Sequence, residues 1–245
     1  YVQKNMGADG VLVDPESHNP TVTDNERIIL ALTAIGKDPA NVGGKNLLTA
    51  LQDRNIMQVT DTSKTDINGL VFGLLALNSG NYTQDSYWLV QAILTQRNKD
   101  GSWSSSADTK PDGDVDMTAM ALQALAKYRD RQDVADAVER GLTVLSQQQE
   151  ENGGFVAYDS ESSESVAQVI VALTELGVSL TDSRFVKSGN TLVSRLLEFR
   201  TENGAFRHIL DGEEDVMATE QGFYALVAVS RAEQGKSTLY TMTET

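Results

Sequence analysis

The chain has 245 residues, 20 basic against 35 acidic for a net charge of −15, and no cysteine. The acidity argues against nucleic acid and against anionic membrane surfaces, because binding a polyanion draws on a concentrated positive patch; the lack of cysteine excludes disulfides, thiolate nucleophiles and sulfur-ligated zinc. The length suffices for one large core, and the apolar runs are too short and too interrupted to span a bilayer.

The opening Tyr1-Val2-Gln3-Lys4-Asn5 lacks an initiator Met and reads like the tail of a helix. A fragment of a larger, secreted or cell-surface bacterial protein is therefore expected, with its targeting segments outside this stretch. After the loop phrase Asp9-Gly10-Val11-Leu12, a nearly all-apolar helix is predicted over 24–36, then an amphipathic one over 39–53. Leu70, Leu74 and Leu77, with Val71, Phe72 and Leu75 on the other faces, predict a second apolar helix over 66–78, followed by an amphipathic one over 87–96. The phrase Asp100-Gly101-Ser102-Trp103 precedes a third apolar helix at 116–128, in which Ala119, Ala121, Ala124 and Ala126 allow close approach. An amphipathic segment over 133–149 carries Val138, Leu142 and Leu145 on one face. Asn152-Gly153-Gly154-Phe155 then leads into the fourth apolar helix, 164–176, with Val166, Val169, Ile170, Leu173 and Leu176 at helical spacing. An amphipathic stretch over 183–200, the phrase Asn203-Gly204-Ala205-Phe206 and a fifth apolar helix over 219–231 complete the chain. Gly36, Gly80 and Gly177 each follow an apolar run and suit a C-terminal cap of positive φ. No segment alternates like a strand over a useful length.

An Ala-Leu pair marks each apolar helix: Ala31-Leu32, Ala76-Leu77, Ala124-Leu125, Ala172-Leu173 and Ala225-Leu226, spaced by 45, 48, 48 and 53 residues. A near-fixed period of this length means stacked units that cannot bury their apolar faces singly. Apolar inner helices alternating with amphipathic outer ones predict an all-α fold, an α/α toroid of five or six helical pairs forming one domain over residues 1–245. At the joints, Gly permits a tight turn, a Gln ending the outer helix can satisfy loop backbone, and Trp103, Phe155 and Phe206 wedge between hairpins as packing.

Gln96-Arg97-Asn98-Lys99-Asp100-Gly101-Ser102-Trp103 resembles the glutamine-tryptophan repeat of squalene and oxidosqualene cyclases, and Asp114-Val115-Asp116-Met117-Thr118-Ala119 is similar to their Asp-x-Asp-Asp-Thr-Ala motif. As a set, the repeats resemble the prenyltransferase/squalene-oxidase repeat superfamily over nearly the whole chain. That superfamily also holds protein prenyltransferase β subunits, thioester-containing complement domains and the helical domain of cobalamin carriers. The resemblance implies a terpenoid cyclase-like toroid. In a class II cyclase it would make Asp116 the general acid that protonates an alkene or epoxide.

Three features set this chain apart from such a cyclase: Met117 replaces an acidic residue of the motif, aromatic residues are 6% of the chain, and one helical domain stands where cyclases place the site between two. Prenyltransferase zinc needs a Cys, and His18 and His208 lie in loops of different repeats. The acidic run Asp108, Asp112, Asp114 and Asp116 matches a Ca²⁺ loop only in part. No metal and no cofactor are expected. Asp116, Glu164 and Glu220, each near the start of an inner helix, could instead serve as paired carboxylates of a carbohydrate-active toroid.

The reading these residues favour is a non-enzymatic module that binds a small ligand or a protein at the mouth of the ring. That mouth would be lined by Asp66, Asp116, Glu164, Thr219 and Glu220, with Gln123, Gln168 and Gln221 nearby and Tyr158 in the fourth loop. By analogy with the cobalamin carriers, an adjacent β-domain is an expected companion. No nucleic acid and no membrane insertion are expected.

Overall fold

The computed structural model describes residues 2–7, 9–17, 20–52, 66–82, 86–105, 113–157 and 160–243. It divides into two compact units, Tyr1–Gln96 with Tyr240–Thr245, and Arg97–Leu239.

The first unit contains α1 (Val22–Ala34), α2 (Thr49–Gln52), α3 (Ile67–Ser79) and α4 (Tyr87–Thr95). α3 packs against both α1 and α4, and Leu70, Val71, Leu74 and Leu77 are fully buried, as a helix apolar on most sides requires. Asn25, also fully buried, ties the entry loop to this core: its Oδ1 accepts from the Leu12 amide at 2.8 Å, and its Nδ2 donates to the carbonyls of Gly10 and Leu47.

The second unit runs α5 (Val115–Leu125), a 3₁₀ turn over Ala126–Tyr128, α6 (Gln132–Gln148), β1 (Val156–Ala157), β2 (Ser160–Glu161), α7 (Ser163–Glu175), α8 (Leu192–Glu198), β3 (Phe206–Arg207), β4 (Glu214–Asp215) and α9 (Val216–Glu233). α7 packs between α5 and α9, with α6 behind α5 and α8 behind α7. Every residue of α7 is buried. These are the predicted inner and outer helices. Among the described residues, sheet is limited to two-residue antiparallel ladders, β1 with β2 and β3 with β4.

Two amphipathic stretches are shorter as helices than the sequence suggests. Of 39–53, only Thr49–Gln52 is helical among the described residues, and of 183–200 only Leu192–Glu198, with a 3₁₀ turn at Ser183–Phe185. In each the chain first makes a tight turn closed by a β-bridge, Val42 with Lys45 and Lys187 with Asn190. The turn residues Gly43, Gly44, Ser188 and Gly189 all have positive φ, a conformation that cannot continue a right-handed helix. The cap expectation holds at Gly36 and Gly177 but not at Gly80, whose φ is −113°. There the left-handed residue is Asn81, φ 57°, the side chain type best suited to that region after glycine.

The joints behave as packing. Trp103, Phe155 and Phe206 are all but inaccessible. At two of them a threonine of the following inner helix clamps the aromatic's backbone: Thr118 Oγ1 accepts from the Trp103 amide at 3.0 Å, and Thr219 Oγ1 accepts from the Phe206 amide at 2.9 Å. The amide of Gln149, at the end of the outer helix, donates to the Gly153 and Phe185 carbonyls, as expected of that position.

Candidate active site

The start of α5 is seated by the Trp103 joint. The Asp114 amide donates to the Trp103 carbonyl at 2.9 Å, and the Gln148 amide donates to the Gly113 carbonyl. Asp114 is the N-cap, its carboxylate accepting from the Met117 amide at 3.0 Å. That leaves Asp116, two residues in, with no capping duty.

α7 starts beside it, held by its own device. Arg195 of α8 grips Glu161 of β2 through two parallel N–H···O bonds of 2.6 and 2.5 Å and stacks over Phe199. A largely buried, bidentate pair of this kind fixes geometry well. It anchors the segment just before the α7 cap, where Ser162 accepts from the Ser165 amide.

The two helix starts converge on one cluster. The Ser165 hydroxyl stands beside Asp116, whose ionised form it favours, and lies 3.0 Å from the Ser162 hydroxyl. Glu164 is buried, and its two carboxylate oxygens lie 3.0 and 2.9 Å from Nδ1 of His208. Against an ionised Glu164 that ring nitrogen is the N–H donor. The His208 carbonyl in turn accepts from the Ser163 amide at 3.0 Å, while 55% of the imidazole side chain is open to solvent.

Within this cluster the Asp116 carboxyl is pushed up to about 6. Desolvation by burial is the main cause; the Ser165 hydroxyl opposes it, the neighbouring charges of Asp114 and Glu164 add to it, and His208 opposes it. Asp116 Oδ1 is out of water and has no hydrogen-bond partner. A carboxyl with one unsatisfied, desolvated oxygen and an acidity near neutrality can hold a proton and release it.

The structure thus gathers two of the residues predicted to line the mouth, Asp116 and Glu164, which stand at the same place in their repeats, eight residues before the Ala-Leu pair. The corresponding residue of α9 is Met217. Gln123, Gln168 and Gln221 form a separate ladder: Gln123 Nε2 donates to the Gln168 carbonyl and to Gln168 Oε1 at 2.9 Å, and Gln168 Nε2 donates to Gln221 Oε1 at 3.1 Å. Gln123 and Gln168 are buried, so these amides tie α5, α7 and α9 together. Thr219 is committed to the Phe206 joint, and Glu220 is exposed on another face of α9. Asp66 belongs to the first unit, where it caps α3 by accepting from the Asn68 amide. Tyr158, His18, Asp108 and Asp112 lie outside the described residues. Among the described residues no group of three or more His, Asp or Glu is placed to hold a metal ion, and no helix is long and apolar enough to cross a membrane.

Sequence reasoning passed over His208 and Ser165. A histidine in a polar loop normally reads as solvated, and nothing in the order of residues reveals that the β3 segment returns against the start of α7. The one available signal was Phe206-Arg207-His208 following directly on a joint phrase.

Comparison with known proteins bears on this geometry. Residues 99–204 match the squalene-hopene cyclase C-terminal domain family; the matched stretch contains the Trp103 joint, Asp116, Glu164 and Ser165. No curated protein matches the chain in sequence. In structure it resembles the Candida albicans protein geranylgeranyltransferase-I complexed with GGPP, at 13% identity and a TM-score of 0.65 over 95% of this chain and 76% of that one. It also resembles the unsaturated glucuronyl hydrolase of Bacillus sp. GL1, at 13% identity and a TM-score of 0.60 over 90% of this chain and 76% of that one. The family match and these folds fit an α/α toroid of the terpenoid cyclase-like superfamily. They overturn the expectation of a non-enzymatic binding module, since the matched family and both neighbours are enzymes. The physical reason that expectation failed is at Asp116: helix-dipole stabilisation would hold a carboxylate ionised, whereas burial here favours its protonated form.

Proposed function

We propose that this chain is a class II terpenoid cyclase-like enzyme in which Asp116 is the general acid. One observation carries the reading: a carboxyl raised to about 6, with Oδ1 desolvated and unpartnered, stands at the second aspartate of Asp114-Val115-Asp116 within the stretch that matches the cyclase family. The protonated carboxyl gives its proton to an alkene carbon or an epoxide oxygen of an isoprenoid, leaving a substrate cation and the Asp116 carboxylate. The Ser165 hydroxyl and nearby His208 both favour that carboxylate over the acid, so the groups that make Asp116 a usable acid also stabilise what it becomes. In this reading His208, held by Glu164 and open to solvent, would return a proton between turnovers.

The test is incubation with squalene, oxidosqualene and shorter polyprenyl substrates, analysed for cyclic products, with Asp116→Asn as control. Product that disappears in the variant supports the reading; product that persists removes Asp116 from its role. The likeness to the Bacillus hydrolase favours one second reading, in which Asp116 and Glu164 act as paired carboxylates on a sugar. Turnover of unsaturated glucuronyl oligosaccharides, with none of isoprenoids, would select it.

A further inference from the structure

The joints at Trp103, Phe155 and Phe206 differ in what ties the aromatic loop to the inner helix that follows. Thr118 and Thr219, each six residues before its Ala-Leu pair, close the Trp103 and Phe206 joints. The residue at that place in α7 is Val166, fully buried, and its isopropyl group offers no hydroxyl to the Phe155 backbone. Gln149 holds the loop ahead of Phe155, not the helix after it. The first turn of that same helix brings Glu164 to His208 and Ser165 beside Asp116.

A different tie is built at this joint. The residue before the helix cap is Gly113 at α5 and Glu161 at α7. A Cβ on Gly113 would lie 1.9 Å from Ser102 Oγ; at α7 small and large are exchanged, and a Cβ on Gly154 would lie 1.6 Å from Glu161 Oε1. Gly154 thus leaves the space that the Glu161 carboxylate fills. There Arg195 meets it with the two parallel bonds described above, across 34 residues of chain, and Asn152 Nδ2 donates a third at 3.1 Å. The arginine and glutamate side chains are 8% and 17% exposed, and Arg195 also pairs with Glu198. The preceding outer helix supplies the comparison. Arg140 stands against Gly101 as Arg195 stands against Gly153, but it is exposed, and Gly113 offers it no carboxylate.

The β1–β2 ladder is two residue pairs long, too short to fix the β2 segment by itself. Taking two charges out of water offsets much of what their attraction returns, so the clamp contributes direction more than stability. Glu161 is covalently joined to the Ser162 cap, so where it is held sets how the chain enters α7.

We infer that Arg195, through Glu161, is a positioning residue for the acid site: it fixes the first turn of α7 so that Glu164 reaches Nδ1 of His208 and Ser165 stands beside Asp116. Its part in turnover rests on the reading of Asp116 as the acid; its placing of Glu164 against His208 does not.

The test uses the intact chain with Arg195→Gln and Glu161→Gln together, which removes both buried charges at once and leaves neither unpaired; circular dichroism checks folding. His18 and His208 are the only histidines, so His18→Gln in every sample leaves one imidazole. Its nitrogen chemical shifts show which ring nitrogen carries the proton in the neutral form. With the clamp intact it should be Nδ1, as the contact with Glu164 requires; in the double variant the proton should move toward Nε2, because the hydrogen bond that selects the tautomer is lost. Arg140→Ala should leave the ring as it is. Turnover of isoprenoids should fall about tenfold to a hundredfold in the double variant, the scale of a small misplacement. Its decline with pH should move higher, since the Ser165 hydroxyl no longer favours the ionised Asp116.

An Nδ1–H ring that survives in the double variant, or one missing from the unaltered protein, overturns the positioning role, as does an equal change from Arg140→Ala. A ring that moves without loss of turnover overturns its part in the reaction. A ring that moves in a chain that turns over no isoprenoid supports the positioning of Glu164 and overturns the cyclase reading instead.

Discussion

Glu26 is a buried carboxyl of one compact unit and Asp116 a half-buried carboxyl of the other, and each has a desolvated oxygen with no hydrogen-bond partner. Burial raises both, yet Glu26 goes to about 9 and Asp116 to about 6. The two differ in exposure, Asp116 being the less buried, and in what opposes burial. Around Glu26 the opposing influence is the charge of Arg27, and Asp66 adds to the rise. Around Asp116 a serine hydroxyl and the Glu164-held His208 pull the carboxyl back toward neutrality. Desolvation alone makes a carboxyl that keeps its proton; desolvation tempered by a hydroxyl and an imidazole makes one that can give it up.

The comparison breaks most decisively on activity. Asp116→Asn should lower turnover at least ~100-fold, the scale of a lost general acid, whereas Glu26→Gln should leave turnover unchanged; a large loss from the second variant alone would reverse the assignment. Next in size is the scaffold on the Asp116 side. Trp103→Ala truncates a fully buried indole beneath the α5 start and should cost about 3–5 kcal/mol in chemical denaturation. A loss below a fifth of that would mean the ring is not the packing wedge described here.

Smaller, and of opposite sign, is the effect of removing the Glu26 carboxyl. Its folded pKa lies above the unfolded 4.5, so the native state holds a proton that the unfolded chain loses, and stability falls as pH rises from about 4.5 to about 9. Glu26→Gln should therefore stabilise the protein at pH 7 by up to roughly 3 kcal/mol, with no gain below about pH 4. Denaturation at the two pH values reads this directly; an equal gain at both would show that the charge is not the cause. The finest test is Ser165→Ala. Turnover of the unaltered enzyme should decline as pH passes about 6 and Asp116 deprotonates. Because the Ser165 hydroxyl lowers that carboxyl, its removal should move the decline to higher pH, and a shift the other way would remove the serine from its positioning role.

Much of this was legible in the residues. The Ala-Leu period places five inner helices, and the joint phrases locate Trp103, Phe155 and Phe206 as buried wedges, because apolar periodicity and glycine chemistry act over a few neighbouring residues. The same local logic misjudged 39–53 and 183–200, where glycines inside an apolar pattern turn the chain before a helix can start. It also read Thr219 as a ligand contact when its hydroxyl closes a joint, although Thr118 at the same repeat position offered the comparison.

By itself, then, the sequence determined the helical period, the pairing of apolar with amphipathic segments, and the aspartate motif at 114–116. Each is a property of side chains a turn or two apart along one helix. Only the tertiary structure decided that Asp116 stands beside Ser165 and that Glu164 is engaged by His208 across 44 residues. Those outcomes depend on which surfaces meet and which lose water. Desolvation is set by neighbours distant in the chain, so the same carboxylate at the start of a helix can be a cap, a trapped proton or an acid.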